Sequence, residues 1–137
     1  MATALYDLAR ESFLKGEIAW DSDNIKVTLV DSNDYTVNLA TDQFLNIIPG
    51  AAIVSTSGNL ASKTTTDGVA DAADITLSSV SGDQSEALVI YQDTGTASTS
   101  RLIAYIDNTG ATGLPVTPNG GDIQVTWDNG ANKIFKL

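Results

Sequence analysis

Alternation of apolar and polar residues is the main structural signal in this chain. The stretch IKVTLV (25–30) places its apolar side chains two residues apart, which is typical of a strand with one buried face. Similar runs, separated by turns rich in Gly, Asp, Asn and Ser, are YTVNL (35–39), AAIVSTS (51–57), DITLSSV (74–80) and DIQVTW (122–127). Short strands at this spacing predict a sandwich or a barrel.

Two further runs, ALVIYQ (87–92) and RLIAYI (101–106), are apolar at almost every position. A strand that is apolar on both sides is buried on both faces, so these two are expected at the centre of a sheet. Near the end of the chain, Asn129-Gly130 separates DIQVTW from ANKIFKL. Both residues of an Asn-Gly pair tolerate positive φ, so a hairpin is predicted at this point.

The start of the chain has the periodicity of a helix instead. Leu5, Ala9 and Phe13 recur at four-residue intervals with Leu8 beside them, and Gly16 marks the stop. The polar residues expected to face away from this stripe are Arg10, Glu11 and Ser12. The pattern predicts one short helix that packs through a single side.

The predicted fold class is therefore mainly β, an antiparallel β-sandwich or barrel-like single domain with a short N-terminal α-helix. The domain is expected to cover residues 1–137, with a helical segment at 1–16 and an antiparallel β body at 17–137. A chain of 137 residues suits one domain with one core, and no repeat, linker or charge run divides it.

Charge and composition narrow the function classes. The chain has 7 basic and 17 acidic residues, a net charge of −10, so it repels phosphate backbones and anionic membranes. We expect no nucleic-acid partner and no membrane partner. Histidine and cysteine are both absent, which removes the general base of Ser-His triads and thiolate metal sites. A non-enzymatic protein without a cofactor is the expectation.

The acidic stretch DSDN (21–24) raises the question of a metal loop. A calcium loop of the EF-hand type needs further oxygen ligands at alternate positions, a central glycine and a glutamate at the twelfth position. Ile25, Lys26 and Ser32 occupy those positions here. The stretch is therefore interpreted as a turn in which Asp and Asn side chains satisfy backbone groups.

A second acidic stretch, DGVADAAD (67–74), places Asp67, Asp71 and Asp74 close together in sequence. Calcium binding there stays open, although solvated loop acids are the commoner explanation in a chain this acidic. No metal ligand is assigned on this basis.

Three stretches together carry a resemblance to a known group of proteins. They are LYDLARESFLKGEIAWDSDNIKVTLVD, SGDQSEALVIYQDTGTASTSRLIAYID and LPVTPNGGDIQVTWDNGANKIFKL. Their combination resembles small virion proteins of tailed bacteriophages, which open with a helical pattern ending in F-L-x-G-x-I-x-W and close with T-P-N-G-G-D-I and W-D-N-G. The resemblance spans nearly the whole chain and contains no catalytic motif.

The role that this resemblance implies is a head decoration (cement) protein. It implies binding to the major capsid protein on the outer surface of the phage head, self-association as a homotrimer, and synthesis in the host cytoplasm. The alternatives are another virion part, such as a neck, tail-tube or fibre-attachment protein, and a carbohydrate-binding β-sandwich. The last would need exposed aromatic side chains, for which Trp20 and Trp127 are the candidates.

The two ends of the chain supply the candidate interaction surface. The N-terminal helix is apolar on one side, and the last residues combine apolar and basic side chains. The candidate residues are Leu5, Leu8, Phe13, Lys133, Phe135, Lys136 and Leu137. The alternative is that these residues complete the protein's own core.

Overall fold

A five-stranded antiparallel sheet forms the centre of the computed structural model, which describes residues 4–107 and 114–137. The strands in these two ranges are β1 (Ala4–Leu5), β2 (Ile25–Val30), β3 (Ile53–Thr56), β4 (Val69–Ala70), β5 (Ile75–Leu77), β6 (Ala87–Gln92), β7 (Leu102–Asp107), β8 (Ile123–Val125) and β9 (Phe135–Lys136). One α-helix, α1 (Asp7–Leu14), follows β1. The main sheet has the order β1-β7-β6-β2-β3 and is open, with β1 and β3 at its edges. The predicted fold class, mainly β with a short N-terminal helix, is confirmed.

The strands predicted to be central do lie at the centre of this sheet. All six residues of β6 are buried, and β6 pairs with β2 on one side and β7 on the other. The register places Val27 beside Ile90, and Ile90 beside Ala104. Because successive side chains point to opposite faces, a strand buried at every position has both of its faces covered.

The predicted hairpin at Asn129-Gly130 is wrong. β8 pairs with β5, with Val125 opposite Ile75, and β9 pairs with β4, with Phe135 opposite Ala70. The two runs that flank the Asn-Gly pair thus join two separate two-stranded ladders. A local turn signal lost here to pairings between residues about 50 or more positions apart, which bury more apolar surface.

The N-terminal helix is shorter than predicted, because the chain first adds a strand to the sheet. Leu5 lies opposite Ala104 in β7, and the backbone N–H of Tyr6 donates to the Ile103 carbonyl. Ser12, predicted to face outward, is buried, whereas Leu14 is 90% exposed. Residues 1–3 of the predicted helical segment lie outside the described residues.

A cluster of tyrosines covers one face of the sheet. The Tyr35 hydroxyl donates to Asp42 Oδ2 at 2.7 Å and lies 3.0 Å from the Tyr6 hydroxyl. The ring of Tyr35 packs against Tyr105 of β7 at a centroid distance of 6.4 Å. Tyr35 belongs to the stretch 35–39, which was predicted as a strand and forms none, so its side chain packs in the core without a ladder around its backbone.

None of the helices in the two described ranges has the length and apolar character needed to cross a membrane. The one α-helix has eight residues, whereas a transmembrane helix needs about 20.

Candidate functional site

An apolar groove lies where the two ends of the chain meet. We call it the terminal groove and define it by its lining residues, which are Phe13, Trp20, Thr65, Gly68, Val69, Ala70, Phe135 and Leu137. Its volume is about 140 Å³. The groove thus combines the end of α1, the segment after it, strand β4 and the C-terminal strand β9.

Aromatic packing forms the floor of the terminal groove. Trp20 meets Phe135 edge-on at a centroid distance of 5.3 Å, and Phe13 lies 6.1 Å from Phe135. The Trp20 indole N–H donates to the Asp71 carbonyl at 3.1 Å, so the polar atom of this buried ring has a partner. Leu137, which is 61% exposed, stands at the rim.

The structure divides the seven residues predicted as an interaction surface. Phe13, Phe135 and Leu137 come together in the terminal groove. Leu5 was wrongly included, because it is buried in β1 and no partner can contact it. Phe135 is also buried and belongs to the floor, so the alternative that the ends complete the core holds for these two.

The remaining three predicted residues lie around the groove. Leu8 is half-buried on α1, and Lys136 is exposed on β9. Lys133 lines a neighbouring polar cleft together with Asp67 and Asp71, and it adopts a positive φ of 46°. Positive φ is uncommon for a side chain of this length.

Basic charge is concentrated on the same elements. Residues 7–16 and 131–137 carry four basic and two acidic side chains, a net of +2. The rest of the chain carries three basic and fifteen acidic side chains, a net of −12. The surface that bears the terminal groove is therefore locally basic on an acidic protein.

A polar network ties the segment after α1 to the sheet. Arg101 donates to Glu17 Oε2 at 3.2 Å and to Gln92 Oε1 at 3.3 Å, and its guanidinium lies 5.8 Å from the centre of the Phe44 ring. On the same strands, Lys26 pairs with Asp93 at 2.9 Å, and this hydrogen bond lowers the pKa of the Asp93 carboxyl. These contacts hold Trp20 and the groove in position against β6 and β7.

The interpretation of DSDN as a turn is confirmed. Asp23 Oδ2 accepts hydrogen bonds from the Ala19 N–H at 2.8 Å and from Gln92 Nε2 at 2.6 Å. The Asn24 carbonyl accepts from the Asp93 N–H at 2.8 Å. The oxygens of this turn thus cap the ends of β2 and β6.

Asp67, Asp71 and Asp74 do not form a three-carboxylate group. Asp74 Oδ1 accepts a hydrogen bond from the Trp127 N–H at 2.9 Å. Within residues 4–107 and 114–137, one such group is found, and it consists of Asp31, Asp34 and Asp83, whose carboxylate oxygens lie within 4.8 Å of one another.

Sequence reasoning missed this acidic group. The signal was the pairing of Val30 with Ala87, which brings the turns DSND (31–34) and SGDQSE (81–86) to the same end of the sheet. Glu86 fixes the first turn by accepting hydrogen bonds from the Ser32 N–H and hydroxyl. No described basic side chain forms an ion pair with the three aspartates.

We expect Asp83→Asn to raise the free energy of unfolding by about 1 kcal/mol in chelator-containing buffer. The change removes like-charge repulsion at a separation of 4–5 Å, worth about that much in water. Chemical denaturation measures it, with the exposed Asp21→Asn as a control outside the group. A loss of stability in calcium-containing buffer would contradict the repulsion and identify a bound cation.

Both tryptophans are buried, which counts against the carbohydrate-binding alternative. Trp20 is 4% exposed and Trp127 is 6% exposed, and the Trp127 indole donates to the Ala73 carbonyl. Neither ring offers the open face on which a sugar stacks. No family model matches this chain, and no curated protein matches it.

Proposed function

We propose that this protein is a non-enzymatic component of a tailed-bacteriophage virion that binds the outside of the head shell and stabilises it. The observation that carries the proposal is the origin of the terminal groove. The opening pattern that resembles phage virion proteins contributes Phe13 and Trp20, and the closing pattern leads into Phe135 and Leu137. Both ends of the resemblance thus supply one surface with exposed apolar side chains.

The charge distribution supports a position outside the shell. A net charge of −10 opposes contact with packaged DNA, because like charges repel across the short distances inside a filled head. A locally basic and apolar surface on an acidic body favours contact with other proteins. Contiguous apolar surface at a groove is a feature of protein-contact sites.

The mechanism of stabilisation is mass action. A protein that binds the mature shell more tightly than the ruptured one shifts the equilibrium by the difference in binding free energy. Several weak contacts across neighbouring shell subunits add to a strong one when copies act together. No reaction chemistry is required.

Binding to isolated phage particles tests the proposal. Purified protein is mixed with expanded, empty heads that lack it and, separately, with isolated tails, and each mixture is sedimented. We expect saturable binding to heads and a higher temperature of head disruption. Binding to tails alone would move the protein to the neck or tail, and binding to neither would refute a virion role.

A further inference from the structure

The exposed apolar side chains of this protein occur on two separate surfaces of opposite charge. Three large apolar residues in the described ranges are more than half exposed. Leu14 and Leu137 belong to the basic terminal surface, whereas Ile47 lies on the acidic body in a tight turn at Leu45–Ile47. A partner that complements one of these surfaces is therefore present on the other.

We propose that the terminal groove of one copy binds the Ile47 turn of a second copy. The groove has a volume of about 140 Å³ and a mainly apolar lining. An apolar cavity of about 150 Å³ holds a benzene molecule, so the space suits one aliphatic side chain. Ile47 is 52% exposed and projects from a turn whose backbone is fixed by hydrogen bonds to residues 97 and 100.

Charge favours this arrangement over contact between like surfaces. The terminal elements carry +2 and the rest of the chain −12, so a contact between unlike surfaces is attractive, whereas two acidic bodies repel. The turn itself lies in residues 43–62, which contain no charged side chain. The apolar contact is therefore made without burying a charge, and the attraction comes from the acids around it.

The contact joins two different patches and is heterologous. Such contacts close into a ring when the rotation between copies permits and otherwise grow into open assemblies. The inference rests on the proposed function only in treating the terminal groove as a protein-contact surface. Self-association of the purified protein and binding to phage heads are separate measurements, so either can fail without the other.

Solution mass across a concentration series tests the proposal, by light scattering or sedimentation equilibrium. We expect wild type to associate, and Ile47→Glu and Leu137→Glu each to weaken association on the order of tenfold or more, because a buried aliphatic contact is lost. Leu14→Glu is the matched control. It makes the same change of type and charge at a 90% exposed residue outside the groove, and should associate as wild type does.

Mixing the two defective variants separates this arrangement from a symmetric one. Ile47→Glu retains an intact groove and Leu137→Glu retains Ile47, so the mixture should form heterodimers although each variant alone is monomeric. Raising the salt concentration should weaken wild-type association, since opposite charges are screened. Monomeric wild type, unchanged association of Ile47→Glu, or no heterodimer on mixing would overturn the proposal.

Discussion

Phe135→Ala is expected to lower the free energy of unfolding by about 3–5 kcal/mol, the range for removing a buried aromatic side chain. Phe135 is buried and contacts the rings of Trp20 and Phe13. Its loss leaves a cavity between α1, β4 and β9, and β9 has only one short ladder to hold it. Chemical denaturation followed by tryptophan fluorescence measures the change.

Leu137→Ala is the control for this substitution. Leu137 lies two residues further along the same segment but is 61% exposed, so its truncation should change stability by no more than about 0.5 kcal/mol. A Phe135→Ala variant within about 1 kcal/mol of wild type would contradict the core role. It would return Phe135 to the surface residues that the sequence predicted.

Alkaline unfolding is the second large effect expected. All four tyrosines, Tyr6, Tyr35, Tyr91 and Tyr105, are buried, and burial raises the pKa of each phenol above its ordinary value of about 10. Below pH 10 the folded and unfolded chains both keep these protons, so the full stability is present. Above pH 10 the unfolded chain releases them while the folded chain does not, so stability falls as pH rises.

The expected slope is up to about 1.4 kcal/mol per pH unit for each tyrosine, so four together unfold the protein within a narrow interval. Tyrosinate absorbance and circular dichroism should change at the same pH, because ionisation requires unfolding. Tyr91→Phe keeps the ring and removes one titrating hydroxyl, so it should make the slope shallower. Phenols that ionise near pH 10 in a folded protein would contradict the prediction.

Alternation along the chain was sufficient to predict the main sheet. A strand such as β6 is apolar at nearly every position because both of its faces are covered, and that requirement is visible in ALVIYQ without a structure. The turn at DSDN was equally predictable, since Asp23 satisfies backbone groups within four residues of itself. Signals of this kind are local and survive folding.

Pairing between distant strands was not predictable. β9 joins β4 across more than 60 residues, and nothing in ANKIFKL specifies that partner over the adjacent β8. The short Ala4–Leu5 strand escaped notice because the helical stripe of Leu5, Ala9 and Phe13 continues through it. In both places a long-range hydrogen-bonded ladder overrode a local pattern.

The candidate site shows the same division. By themselves, the residues determined a mainly β protein with an acidic body, basic and apolar ends, and no histidine or cysteine chemistry. Only the tertiary structure decided which end residues are buried, that Phe13 and Leu137 share one groove, and that Asp31, Asp34 and Asp83 meet. The physical reason is that composition and local periodicity are properties of neighbouring residues, whereas a groove or a carboxylate group exists only when chain segments far apart in sequence pack together.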